Sequence, residues 1–109
     1  MDQERRRTPR YSFIAVAEFI EEESKAKLET RVTELSLHGC YFDMVNTLPE
    51  GTPLRVKIFF ENEFFEARGK VIYSQPNMGM GVTFLEIPPY AMPVLKKWLL
   101  QAMVGSKPL

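Results

Sequence analysis

The sequence predicts a mainly β fold, a six-stranded antiparallel β-barrel with one C-terminal α-helix. Six short segments are rich in β-branched and aromatic residues and are separated by turn residues. A seventh segment, near the C-terminal end, has its apolar residues at helical spacing instead. Since a parallel sheet would need helices between its strands, this order of elements favours a small antiparallel barrel.

The N-terminal half contains three of the predicted strands. Residues Tyr11 to Ile20 form the first strand, and the charged residues 21–27 form the turn after it. The second strand alternates polar residues with Leu28, Thr30 and Val32. Its alternation changes parity at Glu34, which predicts a β-bulge or a bend at that point. Residues 40–45 form the third strand.

The C-terminal half contains a hairpin, a last strand and the helix. The hairpin turns at residues 61–63. One side of its first strand carries Leu54, Val56, Ile58 and Phe60, and one side of its second strand carries Phe65, Ala67, Gly69, Val71 and Tyr73. The inward face of the last strand consists of Met80, Val82 and Phe84. Residues 91–102 form the helix, with Pro93 in its first turn and Gly105 at its end.

The composition argues against several classes of function. The chain has 109 residues, enough for one domain, with 14 basic and 14 acidic side chains. Because the chain has no net charge, we do not expect a nucleic acid polymer or an anionic membrane as its partner. One cysteine and one histidine leave little material for a disulfide, a metal cluster or a catalytic triad, so we expect no enzyme, no cofactor and no bound metal. A membrane span and a signal peptide are absent, and we expect a cytoplasmic protein without membrane insertion.

The basic residues are concentrated at the N-terminal end, at Arg5, Arg6, Arg7 and Arg10. We expect residues 1–10 to form a flexible ligand-binding arm and residues 11–109 to form the domain. In an extended chain Arg6 and Arg10 are about 13 Å apart and could hold two sides of one small ligand. Arginine suits phosphate and the O6/N7 edge of guanine, because its planar group donates two parallel hydrogen bonds and stacks on a base. The alternative interpretation is a solvated basic tail without a binding role.

A second candidate motif lies at the parity change, on the expected rim of the barrel. It has the pattern Glu34-x-Ser36-x-x-Gly39. The Glu34 carboxylate could accept hydrogen bonds from the N1 and N2 donors of guanine, and the Ser36 hydroxyl could donate to a phosphate or a base. Gly39 would let a ligand approach the backbone. Together with the arm, this motif predicts a pocket for a guanine nucleotide.

The ordered combination of these motifs resembles the PilZ domain family. It consists of Arg6-x-x-x-Arg10, Glu34-x-Ser36-x-x-Gly39 and the late strand Gly79 to Phe84, so the resemblance covers nearly the whole chain. It implies a bacterial six-stranded split barrel that binds the second messenger cyclic di-GMP (c-di-GMP). It further implies that Arg6 and Arg10 bind the guanine bases and phosphates, with Ser36 and Gly39 completing the pocket. Arg5 would then stack on or neutralise a second ligand molecule.

Glu34 departs from the family pattern, which usually has Asp or Asn at this position. The extra methylene moves the carboxylate, which either weakens binding or is compensated by a bent rotamer of Glu34. We therefore expect a c-di-GMP receptor that changes its arm on binding and signals to an unidentified downstream protein. The alternative is an adaptor of the same fold that binds proteins but not the nucleotide. An oligonucleotide-binding barrel is a third hypothesis, which the zero net charge disfavours.

Overall fold

The computed structural model of the protein describes residues 8–105, which form six strands and one helix. The elements are β1 (Tyr11–Glu21), β2 (Lys27–Leu35), β3 (Gly39–Asp43), β4 (Pro53–Phe60), β5 (Glu63–Gln75), β6 (Gly79–Glu86) and α1 (Met92–Gly105). Neighbouring strands pair antiparallel in the order β1-β2-β3-β6-β5-β4, and β4 pairs with β1 to close the barrel. The predicted six-stranded antiparallel barrel with a C-terminal helix is confirmed.

The barrel core is filled by alternate side chains of each strand, because successive side chains of a strand point to opposite faces. In β1 every second residue from Tyr11 to Phe19 is buried. The largest fully buried side chains are Trp98, Phe19, Phe42, Phe65 and Leu35. This core keeps the register of the strands fixed, since a slip of one residue would expose the apolar face of a strand.

The helix covers the end of the barrel at which β1 begins and β4 ends. Leu95 and Trp98 of α1 are buried. The Trp98 ring packs against the rings of Phe13 and Phe60, with centroid distances of 5.3 and 5.7 Å. Within residues 8–105, no helix has the length and the apolar character that crossing a membrane requires.

A β-bulge in β2 turns Glu34 to the outer face of the barrel. Val32 pairs with Phe42 of β3, and Glu34 pairs with the next residue of β3, Tyr41. Thr33 is therefore the extra residue of the bulge. Val32 is buried, and the extra residue turns Glu34 to the outer face. Tyr41 points to the same face by ordinary alternation, since Cys40 and Phe42 on either side of it are buried. Of the bulge or bend predicted from the parity change at Glu34, the bulge is confirmed.

A second bulge, in β5, turns Tyr73 to the same outer face. Val71 pairs with Val82 of β6, and Tyr73 pairs with Gly81, so Ile72 is the extra residue. The side chain of Ile72 is 48% exposed, whereas Val71 and Val82 are buried. The sequence pattern places Tyr73 on the same side of the strand as Val71, and the structure shows that this placement is wrong. The extra residue reverses the side of every residue after it.

Candidate functional site

A row of four paired residues crosses the outer face of the barrel. Glu34 of β2 pairs with Tyr41 of β3, Tyr41 pairs with Gly81 of β6, and Gly81 pairs with Tyr73 of β5. We call these four residues the outer row. The two bulges direct the side chains at both ends of the outer row away from the core. Residues that are far apart in the sequence therefore form one continuous strip.

Two glycines of β6 let the tyrosine rings lie against the backbone of that strand. A Cβ atom on Gly81 would lie 2.5 Å from Cε2 and Cζ of Tyr73, and one on Gly79 would lie 2.5 Å from the hydroxyl oxygen of Tyr41. Any larger residue at either position would displace the ring above it. The two tyrosine rings lie 6.1 Å apart between centroids, with 32° between their planes. They form a flat aromatic surface in the middle of the site.

The phenol of Tyr41 is held in its neutral form. Burial raises the pKa of Tyr41, and the negative charges that Tyr73, Asp43 and Glu34 can carry add to this effect. The hydroxyl therefore stays neutral to a higher pH than the hydroxyl of an exposed tyrosine.

Arg10, which immediately precedes β1, reaches both ends of the outer row. Its Nη1 atom lies 3.4 Å from Oε1 of Glu34 and donates a hydrogen bond of 3.4 Å to the hydroxyl of Tyr73. The contact with Glu34 is an ion pair that lacks the geometry of a hydrogen bond. The Nε atom of Arg10 is buried and donates no hydrogen bond to any residue of the described segment. One donor of the guanidinium group thus remains unused by the barrel.

The Ser36 hydroxyl holds the turn between β2 and β3. Its Oγ atom accepts hydrogen bonds from the backbone N–H groups of His38 (3.2 Å) and Gly39 (3.1 Å) and donates to the Gly39 carbonyl (3.3 Å). Ser36 is only 6% exposed. The sequence motif predicts that this hydroxyl contacts a ligand, whereas its partners in the structure are backbone groups of its own turn. A direct contact between Ser36 and a ligand stays a prediction.

Gly39 is required by the close approach of β3 and β6. A Cβ atom on Gly39 would lie 2.3 Å from the carbonyl oxygen of Val82. The expected reason for this glycine, access of a ligand to the backbone, also stays a prediction. The structure supplies a different reason, because the neighbouring strand leaves no room for a side chain at this position.

The N-terminal arm meets this turn at Thr8. The Thr8 hydroxyl lies 3.1 Å from Nδ1 of His38, the exposed residue at the tip of the turn. The His38 carbonyl in turn accepts hydrogen bonds from the Phe84 N–H (2.8 Å) and the Thr83 hydroxyl (3.3 Å) of β6. The end of the arm therefore lies beside the Ser36–Gly39 turn.

The structure brings together four of the six predicted site residues. Arg10 contacts Glu34, and Ser36 and Gly39 form the turn that follows Glu34. Arg5 and Arg6, like the rest of residues 1–7, lie outside the described residues. No group of three or more His, Cys, Asp or Glu side chains that could hold a metal ion occurs within residues 8–105.

Sequence reasoning missed the two tyrosines of the outer row. Their signal in the sequence is the pair Gly79 and Gly81, two residues apart on a strand whose intervening residue, Met80, is buried. Glycines at this spacing leave one face of the strand bare, and a bare face is where large neighbouring side chains can lie close to the backbone.

A family sequence model described as "PilZ domain" matches residues 4–101. Comparison with curated protein sequences finds no match. Among solved structures, the PilZ domain of YcgR from Escherichia coli with c-di-GMP superposes with a TM-score of 0.72 at 17% sequence identity, covering 93% of both chains.

Two further solved structures have the same fold. The inhibitor of motility MotI (DgrA) from Bacillus subtilis superposes with a TM-score of 0.74 at 17% identity, covering 94% of this chain and 53% of that one. YcgR from E. coli in complex with c-di-GMP superposes with a TM-score of 0.75 at 19% identity, covering 93% and 47%. The present chain therefore spans about half the length of these two proteins. At such identities the likeness shows the fold alone.

Proposed function

Because this chain belongs to the PilZ domain family, we propose that it is a c-di-GMP receptor without catalytic activity that signals to a partner protein in the cytoplasm. The contact between Arg10 and Glu34 carries the proposal, since it joins the arginine motif of the arm to the second motif of the barrel. Solved relatives of the same fold that contain c-di-GMP support it, although they share fewer than one residue in five with this chain.

In this proposal the ion pair between Arg10 and Glu34 breaks on binding, and each side chain contacts the ligand instead. In the free protein the two charges neutralise one another across 3.4 Å. On binding, the guanidinium group of Arg10 turns to a phosphate or to the O6/N7 edge of guanine, and the carboxylate of Glu34 accepts hydrogen bonds from guanine N1 and N2. The rings of Tyr41 and Tyr73 supply a flat, largely apolar surface beside them.

Of the remaining motif residues, some contact the ligand directly and others support the pocket. Arg6 binds the ligand from the side opposite Arg10, and Arg5 neutralises or stacks on a second ligand molecule. Ser36 and Gly39 complete the pocket through the turn that they hold in place, next to Thr8 of the arm. The arm changes conformation as it closes on the ligand, and charge-assisted hydrogen bonds offset the loss of conformational entropy. The altered surface is the signal that the partner protein reads.

Isothermal titration calorimetry with c-di-GMP tests the proposal. We expect saturable heat with the native protein and binding that is weaker by about thirtyfold or more in Arg10→Ala, because truncation of one partner in a hydrogen-bonded charge pair costs about 2–5 kcal/mol. Arg55→Ala is the matched control, since Arg55 is an exposed arginine of β4 outside the outer row. No heat at micromolar protein concentration, or equal affinity in Arg10→Ala and Arg55→Ala, would contradict the proposal.

One observation favours a second function, that of an adaptor which binds a partner protein and no nucleotide. The Arg10 side chain is already occupied by Glu34, the residue that departs from the usual Asp or Asn. A shorter carboxylate at this position would reach less far towards Arg10. If the native protein gives no heat with c-di-GMP while Glu34→Asp binds it, the adaptor is the correct function. Binding by the native protein excludes the adaptor.

A further inference from the structure

We infer that Tyr73 is a positioning residue for Arg10, and that Gly81 makes this role possible. The inference rests on the proposed function and deepens it, because it adds residues of β5 and β6 to a site defined by the arm and by the turn after β2. Its basis is the set of contacts that surround the Arg10 guanidinium group.

Arg10 is held from two opposite sides of the outer row. Glu34 contributes an ion pair from β2, and Tyr73 accepts a hydrogen bond from β5, each at 3.4 Å from the same Nη1 atom. In the barrel, β2 and β5 are separated by β3 and β6. Because the same atom makes both contacts, the guanidinium group would be free to turn about the remaining one if either were missing.

The position of the Tyr73 hydroxyl depends on two features of the backbone. The bulge at Ile72 brings Tyr73 to the outer face, opposite Gly81. The absence of a side chain on Gly81 then lets the ring lie against β6, since a Cβ atom there would be 2.5 Å from two ring carbons and 3.0 Å from the hydroxyl. The ring of Tyr73 therefore lies along the surface of β6, and its hydroxyl reaches Arg10.

Both contacts are made by Nη1, so two partners from different strands hold one nitrogen atom of the guanidinium group in place. Recognition of a phosphate or a guanine edge by two parallel hydrogen bonds requires the guanidinium plane to be oriented. A site that is oriented before binding loses less conformational entropy when the ligand arrives. Tyr73 therefore contributes to affinity without being a required contact of the ligand.

Tyr41 provides a matched control within the same site. Its ring lies over Gly79 as the ring of Tyr73 lies over Gly81. Its hydroxyl, however, makes no hydrogen bond with Arg10, among the contacts of residues 8–105. In a measurement without ligand, removal of the two hydroxyl groups, one at a time, separates the effect on Arg10 from a general effect on the aromatic surface.

The first experiment compares c-di-GMP titrations of Tyr73→Phe and Tyr90→Phe by calorimetry. We expect about five- to tenfold weaker binding in Tyr73→Phe, which loses one hydrogen bond to a charged group, and a change of less than about twofold in Tyr90→Phe, since Tyr90 is exposed and lies outside the outer row. Gly81→Ala should reproduce the loss by displacing the ring, provided that its circular dichroism spectrum is native. Equal affinities of the native protein and Tyr73→Phe would overturn the inference.

The second experiment needs no ligand and separates this inference from the proposed function. The Nε–Hε signal of Arg10 is recorded by ¹H–¹⁵N NMR in the native protein, Tyr73→Phe and Tyr41→Phe. We expect the signal to shift towards those of exposed arginines in Tyr73→Phe alone. An unchanged signal overturns the inference even if c-di-GMP binds. A shifted signal together with no heat from c-di-GMP supports the positioning role and overturns only the proposed function.

Discussion

The guanidinium group of Arg10 and the carboxylate of Glu34 lie 3.4 Å apart, on the residue before β1 and on the bulge of β2. Their side chains remain 28% and 29% exposed, so solvent screens the pair. Partly exposed ion pairs typically contribute at most about 1 kcal/mol to folding. In the proposed function, this pair therefore matters more for holding together two groups that would bind the ligand than for stabilising the barrel.

Ser36→Ala should destabilise the protein by about 1–3 kcal/mol, because two backbone N–H groups lose their acceptor in a buried turn. Urea denaturation followed by circular dichroism measures the change. Ser12→Ala, at an exposed position of β1, is the control and should change the stability by less than about 0.5 kcal/mol. Equal effects of the two substitutions would show that the turn does not depend on the hydroxyl group.

Gly39→Ala should lower the melting temperature by about 10 °C or more, since the new methyl group would force β3 and β6 apart at the Val82 carbonyl. Gly105→Ala is the matched control, because a Cβ atom at Gly105 meets nothing within 4 Å. Thermal unfolding followed by circular dichroism compares the two proteins. A native melting temperature for Gly39→Ala would contradict the close strand approach described above.

Trp98→Ala should cost about 3–5 kcal/mol of unfolding free energy, because it leaves a cavity between the helix and the barrel end lined by Phe13 and Phe60. Since Trp98 is the single tryptophan of the chain, the measurement must use circular dichroism in urea and not fluorescence. Leu100→Ala removes an apolar side chain from the exposed face of the same helix and should have little effect. If both variants unfold alike, the helix does not close the barrel.

Cys40 should resist thiol reagents in the folded protein. Burial raises the pKa of the Cys40 thiol, so the thiol stays protonated in the native state. Labelling by a disulfide reagent at mildly alkaline pH should be slow in buffer and fast in urea. A cysteine introduced at the exposed position 12, in a Cys40→Ala background, supplies the rate for an open thiol. Similar rates at the two positions would disprove the burial of Cys40.

The same pKa shift gives a direction for the stability of the protein in alkali. The unfolded chain loses its thiol proton above about pH 8.5, whereas the folded chain retains it. Above this pH the unfolded state binds fewer protons, and the free energy of unfolding falls. This contribution is present below about pH 8.5 and lost as the pH rises further. Stability should therefore fall less steeply in Cys40→Ala than in the native protein.

The sequence predicted the elements of the barrel well because each has a clear local pattern. The two-residue alternation of β4 and the helical spacing of the last segment each depend only on neighbouring residues. The bulge at Glu34 was also visible, since apolar residues change sides there. The bulge at Ile72 was hidden, because Val71, Ile72 and Tyr73 are all apolar or aromatic and leave no change of parity to detect.

Only part of the site could be predicted, and the physical reason for success or failure differs between its residues. The motif that contains Arg10 and the one that contains Glu34 have residue types suited to a guanine ligand, and these could be recognised one by one. The contact of Arg10 with Tyr73 joins residues 63 positions apart and depends on the closure of the barrel. The hydrogen bonds of the Ser36 hydroxyl to backbone groups of its own turn depend on the conformation of that turn, which the residue type alone does not determine.

The closure of the barrel limits how a partner can bind. Each of the six strands within residues 8–105 has a neighbour on both sides, so no strand in that part of the molecule has an edge that is unpaired along its whole length. The unpaired stretches are short, such as residues 27–30 of β2, which pair with β1 alone. A partner that added a strand of its own, as partners of open-edged domains do, would find only such short stretches, which favours recognition through side chains.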